Sequence, residues 1–188
     1  MAFGTALLPI SAQTTHISPV SEDPHAVYYS LTAHDMPGDR VLHTIKQGMR
    51  SRITYTVRVF REVRGISRIF GDRPLAETQI SKEARLDPFS GRYILTESRG
   101  TTSRYDDSRS LLQGFFGLEE VSVPKVNEHD AYVMGRSRLE VTLLQEPLRL
   151  LMPFLGDLII TTPWSRIRML DTSDSRDGEP GIEETNRE

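Results

Sequence analysis

The chain reads as mainly β with two short helices, arranged as an antiparallel β-sandwich of about seven strands. Three observations predict this. Residues 50–63, RSRITYTVRVFREV, alternate strictly, with Ile53, Tyr55, Val57, Val59 and Val63 on one side and Arg52, Thr54, Thr56, Arg58 and Glu62 on the other. A period of two built from β-branched and aromatic residues is a strand with one face buried and one wet. Similar alternating segments recur along the chain, divided by turns rich in Gly, Pro and Asp, and only two short windows carry helical spacing. A single twisted antiparallel sheet with both helices on one face is the alternative arrangement. A doubly wound α/β fold needs more helices than this.

Taken in order, residues 1–12, MAFGTALLPISA, are apolar and end in small residues. They read as the remnant of a secretory signal with Ala12 as a cleavage point, or as an apolar N-terminal segment, since the usual positive start is missing. Residues 13–26 mix Ser, Thr, Pro and His without an evident period and read as a linker. The single domain is placed at 27–170. It opens with a strand over 27–34, a turn at Asp35-Met36-Pro37-Gly38-Asp39, and a helix over 40–47 capped by Asp39. Val41, Leu42, Ile45 and Met49 form the helix's apolar stripe, and Gly48 closes it in a left-handed conformation before the 50–63 strand.

Beyond a Gly- and Pro-marked loop, residues 76–86 alternate again, with Thr78, Ile80, Ala84 and Leu86 on the apolar side. The turn Asp87-Pro88-Phe89-Ser90-Gly91 sends the chain back through residues 92–98 as a hairpin. Residues 99–107 read as a turn or short strand. A helix over 108–116 then buries Leu111, Leu112, Phe115 and Phe116, and Gly117 ends it. Residues 119–126 form a strand that Pro124 places on an edge. Residues 131–143 form a long strand with Val133, Leu139, Val141 and Leu143 on one side and Arg136, Arg138 and Glu140 on the other. Residues 146–153 read as a turn of helix, and residues 158–170 as a last strand carrying Trp164. The acidic tail, 171–188, is expected to be disordered.

Charge and composition narrow the function classes. The net charge is −3, but the last eighteen residues hold seven carboxylates against two Arg, which leaves the rest close to neutral. A near-neutral body lacks the field that holds nucleic acid. No run approaches the ~18 apolar residues of a membrane span, so the mature chain has no transmembrane segment. There is no Cys, which removes disulfides, thiolate catalysis and Cys-based zinc sites. Of the 23 basic residues only Lys46, Lys82 and Lys125 are Lys. That bias fits carboxylate or phosphate recognition by planar forks, or simply a GC-rich genome.

A search for chemistry finds no phosphate loop, nucleophile elbow or zinc-binding His pair, and no cofactor or metal is expected. Asn127-Glu128-His129-Asp130 reads as a solvated turn, since four consecutive residues cannot converge on one ion. Asp106-Asp107 reads as the cap and acidic approach of the second helix rather than a carboxylate pair. No residue set nominates a catalyst, although an enzyme of unidentified class stays open. Four outward arginines do stand out, Arg52 and Arg58 on one strand with Arg136 and Arg138 on another. If the strands are neighbours, the four share a surface suited to an anionic lipid or another anionic ligand. The competing arrangement is a solvated face on which they pair with Glu62, Glu140 and Glu83.

The order of these features resembles a bacterial family known as domain of unknown function 4390, over roughly residues 27–170. The resemblance rests on the helix ending at Gly48 and the alternating strand after it, the hairpin around Leu86 and Tyr93, and the helix at Leu111 and Leu112. It closes on residues 132–143, Leu144, Pro147-Leu148-Arg149 and Trp164. Where that family reads Leu-Pro-x-Pro-Leu-Arg this chain has Gln145 for the first Pro, and the region of Phe70 replaces a Trp often found after the central strand. The resemblance implies an exported protein of the bacterial envelope or periplasm with no assigned catalytic residues. Some members are encoded beside a membrane sensor kinase. With no motif for catalysis, the expected function is a non-catalytic envelope module that binds a protein partner, favoured by exposed strand edges near Pro124. Binding of lipid or another anion by the Arg face is the alternative.

Overall fold

The computed structural model describes residues 13–62, 72–126, 131–142 and 157–169. Among these residues, ten strands and two helices follow one another as β1 Thr14–Glu22, β2 Ala26–His34, α1 Gly38–Lys46, β3 Ser51–Arg61, β4 Arg73–Leu86, β5 Tyr93–Glu97, β6 Thr102–Tyr105, α2 Ser108–Phe116, β7 Gly117–Pro124, β8 Ala131–Val141, β9 Leu158–Thr161 and β10 Ser165–Arg168. They form two antiparallel sheets. The small sheet runs β1-β2-β7, and the large one β10-β8-β3-β4-β5-β6 with β9 also paired to β8. The chain is therefore mainly β with two short helices, as the alternation predicts.

The central strand is β3, flanked by β8 on one side and by β4 on the other. Ile53, Tyr55, Val57 and Val59 are buried, together with Val133, Leu139 and Val141 of β8. Facing them from the small sheet are Ile17, Val27, Tyr29, Leu31, Leu118, Val121 and Val123, and all belong to one hydrophobic core. The sheets pack tightly at Gly135 of β8, where a Cβ would stand 2.5 Å from Ile17 Cδ1 and 2.9 Å from Leu31 Cδ2. Only a residue without a side chain fits between the layers there.

Several expectations are corrected. Residues 13–26 are not a linker, because Thr14–Glu22 is strand β1, paired along its length with β2. Its apolar signal is short: Thr15 and Ile17 point inward and are buried, while Pro19, Val20 and Ser21 are exposed. Asp39 is not the cap of α1. The helix begins two residues earlier, with Pro37 in the cap position and no side-chain cap bond, so Asp39 lies inside the first turn. A carboxylate there still favours the positive helix end. The last strand is two short ones, broken at 162–164, both on β8. In α2, Leu111 and Phe115 are fully buried while Leu112 and Phe116 are only partly so.

Other local expectations hold. Gly48 has φ +80 and closes α1. Asp107 caps α2 by accepting from Ser110 N at 2.8 Å, and Asp106 pairs with Arg92 at 2.7 Å. The segments 1–12, 127–130, 143–156 and 170–188 lie outside the described residues, as do Phe70 and the Pro147-Leu148-Arg149 run.

Candidate functional site

The antiparallel register of β3 and β8 sets Thr54 opposite Arg138, Thr56 opposite Arg136, and Arg52 opposite Glu140. Side chains two apart on a strand share a face, so Arg52, Arg58, Arg136 and Arg138 all project from the outer side of the large sheet. The structure thus brings the four together on one surface. It also pairs three of them. Arg52 meets Glu83 at 3.0 Å, and Glu83 takes Arg50 as well, at 3.3 Å. Arg58 meets Glu77 at 2.8 Å, and Arg138 meets Glu140 of its own strand at 3.0 Å. These pairs are largely exposed and contribute little to stability. Glu83 pairs across strands as the pairing arrangement anticipates, whereas Glu140 pairs within its own strand and Glu62 faces Arg166 at 3.6 Å.

Arg136 lies against an aromatic ring. Its guanidinium stands 4.4 Å from the centre of the Trp164 ring, and Arg58 stands 5.0 Å from the same ring. Trp164 reaches this position because Pro163 breaks the last strand, letting the indole fold over the sheet between β9 and β10. Next to it, Arg166 lies 3.6 Å over Tyr132, which stacks on Phe60 with centres 5.4 Å apart and planes at 15°. Tyr132 donates its hydroxyl proton to Asp72 at 2.5 Å. Burial, then that bond to a carboxylate, pushes its pKa up to about 12. The result is two ring-and-guanidinium groups on the outer face, Trp164 with Arg58 and Arg136, and Tyr132 with Arg166 and Phe60. No match comes from family models, curated proteins or solved structures.

Sequence reasoning missed two parts of this picture. Arg166 was legible in principle: Ser165-Arg166-Ile167-Arg168 alternates, which puts both arginines on the polar face. Lys82 was passed over although it stands between Ile80 and Ala84 in the inward row of β4. It is only 5% exposed. Its ammonium donates to Gly114 O at 2.9 Å and Gly117 O at 2.7 Å, and pairs with Glu97 at 2.9 Å. Three donors meet three acceptors, so the group has no hydrogen left for a substrate. Two of the acceptors are carbonyls at the C-terminal end of α2, where a cation is favoured. Lys82 is thus a clamp that ties α2 and the start of β7 to the large sheet.

The strand edges are less inviting than the sequence suggests. Pro124 does end an edge strand, β7, but Glu119 and Glu120 bulge opposite Ser30, with Glu120 at φ +54. Arg99 donates to Glu120 O at 3.2 Å across the outside of that bulge. A bulge, two carboxylates and a proline blunt an edge against strand addition. Strands β6, β9 and β10 have four residues each. No helix among the described residues is long and apolar enough to cross a membrane.

Proposed function

We propose that this chain is a non-catalytic module of the bacterial envelope that docks a protein partner on the outer face of its large sheet. The observation that carries the reading is Trp164 held between Arg58 and Arg136, together with Arg166, Tyr132 and Phe60. Trp, Tyr and Arg are the side chains that dominate binding energy at protein interfaces. Here Trp164 lies against Arg58 and Arg136, and Arg166 covers the buried Tyr132, so these side chains are already held in place and less freedom is lost on binding. Capture of a simple anion by all four predicted arginines is less favoured, because Arg52, Arg58 and Arg138 already meet carboxylates. Export to the envelope rests on the apolar opening of the sequence and on the resemblance to domain of unknown function 4390.

The test is site-specific photo-crosslinking in cells followed by fractionation. A crosslinker at Gln79, exposed on the same outer face and opposite Thr56, should capture one dominant envelope protein. The same probe at Ser122, exposed on β7 of the other sheet, should not. Trp164→Ala should reduce capture at Gln79 by about tenfold, the loss expected of an aromatic hot spot. Equal capture at both positions, or recovery of the protein in the cytoplasm, would overturn the reading.

A further inference from the structure

The end of the large sheet where β4 turns into β5 carries a second surface, separate from the ring-and-guanidinium groups. Phe89 at its tip is 98% exposed. The turn that presents it is held at every step. Asp87 N donates to Arg92 O at 2.9 Å and Gly91 N to Asp87 O at 2.9 Å, while the Asp87 carboxylate accepts from Phe89 N at 3.1 Å and Ser90 Oγ at 2.7 Å. Gly91 supplies the left-handed φ of +68 that the turn requires. A lone exposed apolar side chain is common and by itself signals nothing. Its surroundings make the difference.

Arg85 of β4, Ile94 of β5 and Arg104 of β6 are in register across three strands, one rung from the turn. Arg92 adjoins them and pairs with Asp106. Arg50 and Arg52 share the single carboxylate of Glu83, and with Arg85, Ser81, Thr96 and Ser98 they line a shallow depression of about 540 Å³. Asp87 keeps its charge within the turn, where Ser90 and Phe89 hydrogen-bond it and Arg85 lies near enough to act on it, and Glu97 pairs with Lys82. Arg85 and Arg104 form no salt bridge among the described residues, and Arg50, Arg52, Arg85, Arg92 and Arg104 outnumber Glu83, Asp87 and Asp106, so this end of the sheet carries surplus positive charge next to a rigidly presented ring.

We infer that the β4–β5 end is a peripheral contact for an anionic phospholipid bilayer, with Phe89 entering the interface and Arg85 and Arg104 meeting lipid phosphates. An apolar ring ahead of a fringe of guanidiniums matches the order of environments at a membrane surface, acyl boundary first and phosphates behind it. Because the backbone of the turn is fixed by its own hydrogen bonds, insertion need order only the Phe89 side chain. A protein partner is disfavoured at this point, since a single protruding ring on a tight turn offers no broad apolar patch for a standard interface.

The experiment is vesicle co-sedimentation of the full chain. Vesicles of equimolar phosphatidylglycerol and phosphatidylcholine should bind it, and phosphatidylcholine alone should not. Phe89→Ala should weaken partition about tenfold through lost apolar burial, with no effect on folding because the side chain touches solvent only. The double change Arg85→Gln with Arg104→Gln should weaken it by a similar factor of about ten and flatten its salt dependence. Absence of binding to the mixed vesicles, or binding that Phe89→Ala leaves unchanged, overturns the inference. Competition by inorganic phosphate that abolishes vesicle binding would also overturn it, in favour of a free anion in the depression. So would a Phe89-dependent protein complex without vesicle binding.

Discussion

Replacing Lys82 by Met tests the largest local commitment in the fold. The two side chains are of similar length, so the change removes charge and donors with little loss of volume. What remains is two carbonyls, Gly114 O and Gly117 O, and the Glu97 carboxylate, all having lost their donor. Breaking a buried pair by removing one partner costs about 3–5 kcal/mol, and the partial exposure of Glu97 lowers that to about 3 kcal/mol here. At about 2–4 °C per kcal/mol for a chain of this size, the midpoint of thermal unfolding should fall by about 6–12 °C. Adding Glu97→Leu should recover about half of the loss, because an unpaired carboxylate is worse than an apolar pair. Urea unfolding followed by circular dichroism compares both variants with the parent chain. A cost below about 1 kcal/mol for Lys82→Met, or a double variant no better than the single one, would refute the clamp.

Three further outcomes follow from the packing. Gly135→Ala should destabilise by about 1–3 kcal/mol, since its Cβ meets Ile17 Cδ1 and Leu31 Cδ2, and Ile17→Val should restore part of this in chemical unfolding. Thr162→Val should cost about 1–3 kcal/mol by the same measurement. It deletes the hydroxyl that lies 2.7 Å from Thr15 Oγ1 and accepts from Ser137 N at 3.0 Å. Alkaline stability should fail from about pH 10, the ordinary tyrosine value, towards pH 12. Burial pushes Tyr29 up to about 12 and Tyr55 higher, so the unfolded chain loses these protons first and stability drops as pH rises. Phenolate absorbance should then rise together with the loss of the folded circular dichroism signal.

The elements most legible in the sequence are those with one wet and one dry face. Strand β3 announces itself because Ile53 through Val59 alternate without exception, and α2 because Asp107 and Gly117 bracket its apolar turn. Strand β1 was hidden because two inward residues, Thr15 and Ile17, are too few to set a period, and because Pro19 reads as a breaker. Its burial comes from the second sheet, which no local pattern encodes. The site divides in the same way. That the four arginines point outward follows from alternation, but which of them meet carboxylates depends on strand register. The bulge between Val59 and Phe60 shifts the far end of the β3–β4 pairing. Trp164 leaves the strand pattern altogether at Pro163, and Lys82 breaks the rule that inward rows are apolar. Both are read correctly only once their partners are in place.

Strand β1 also sets the order in which the molecule can be assembled. Its hairpin with β2 is local, but its hold on the large sheet runs through Ser137 and Thr162, and Ser165 donates to Thr15 O across 150 positions of sequence. The hairpins β3–β4, β4–β5 and β5–β6 can close as soon as each is made, whereas β1 must wait for residues near the far end of the domain. Contacts of such long span make folding slow. During synthesis, a chain stopped before residue 158 would keep the Ser137 bond to Thr15 but lack those of Thr162 and Ser165, and the β1–β2 hairpin would be only partly latched. The first described strand to emerge is then among the last to settle, and its docking reports completion of the whole domain.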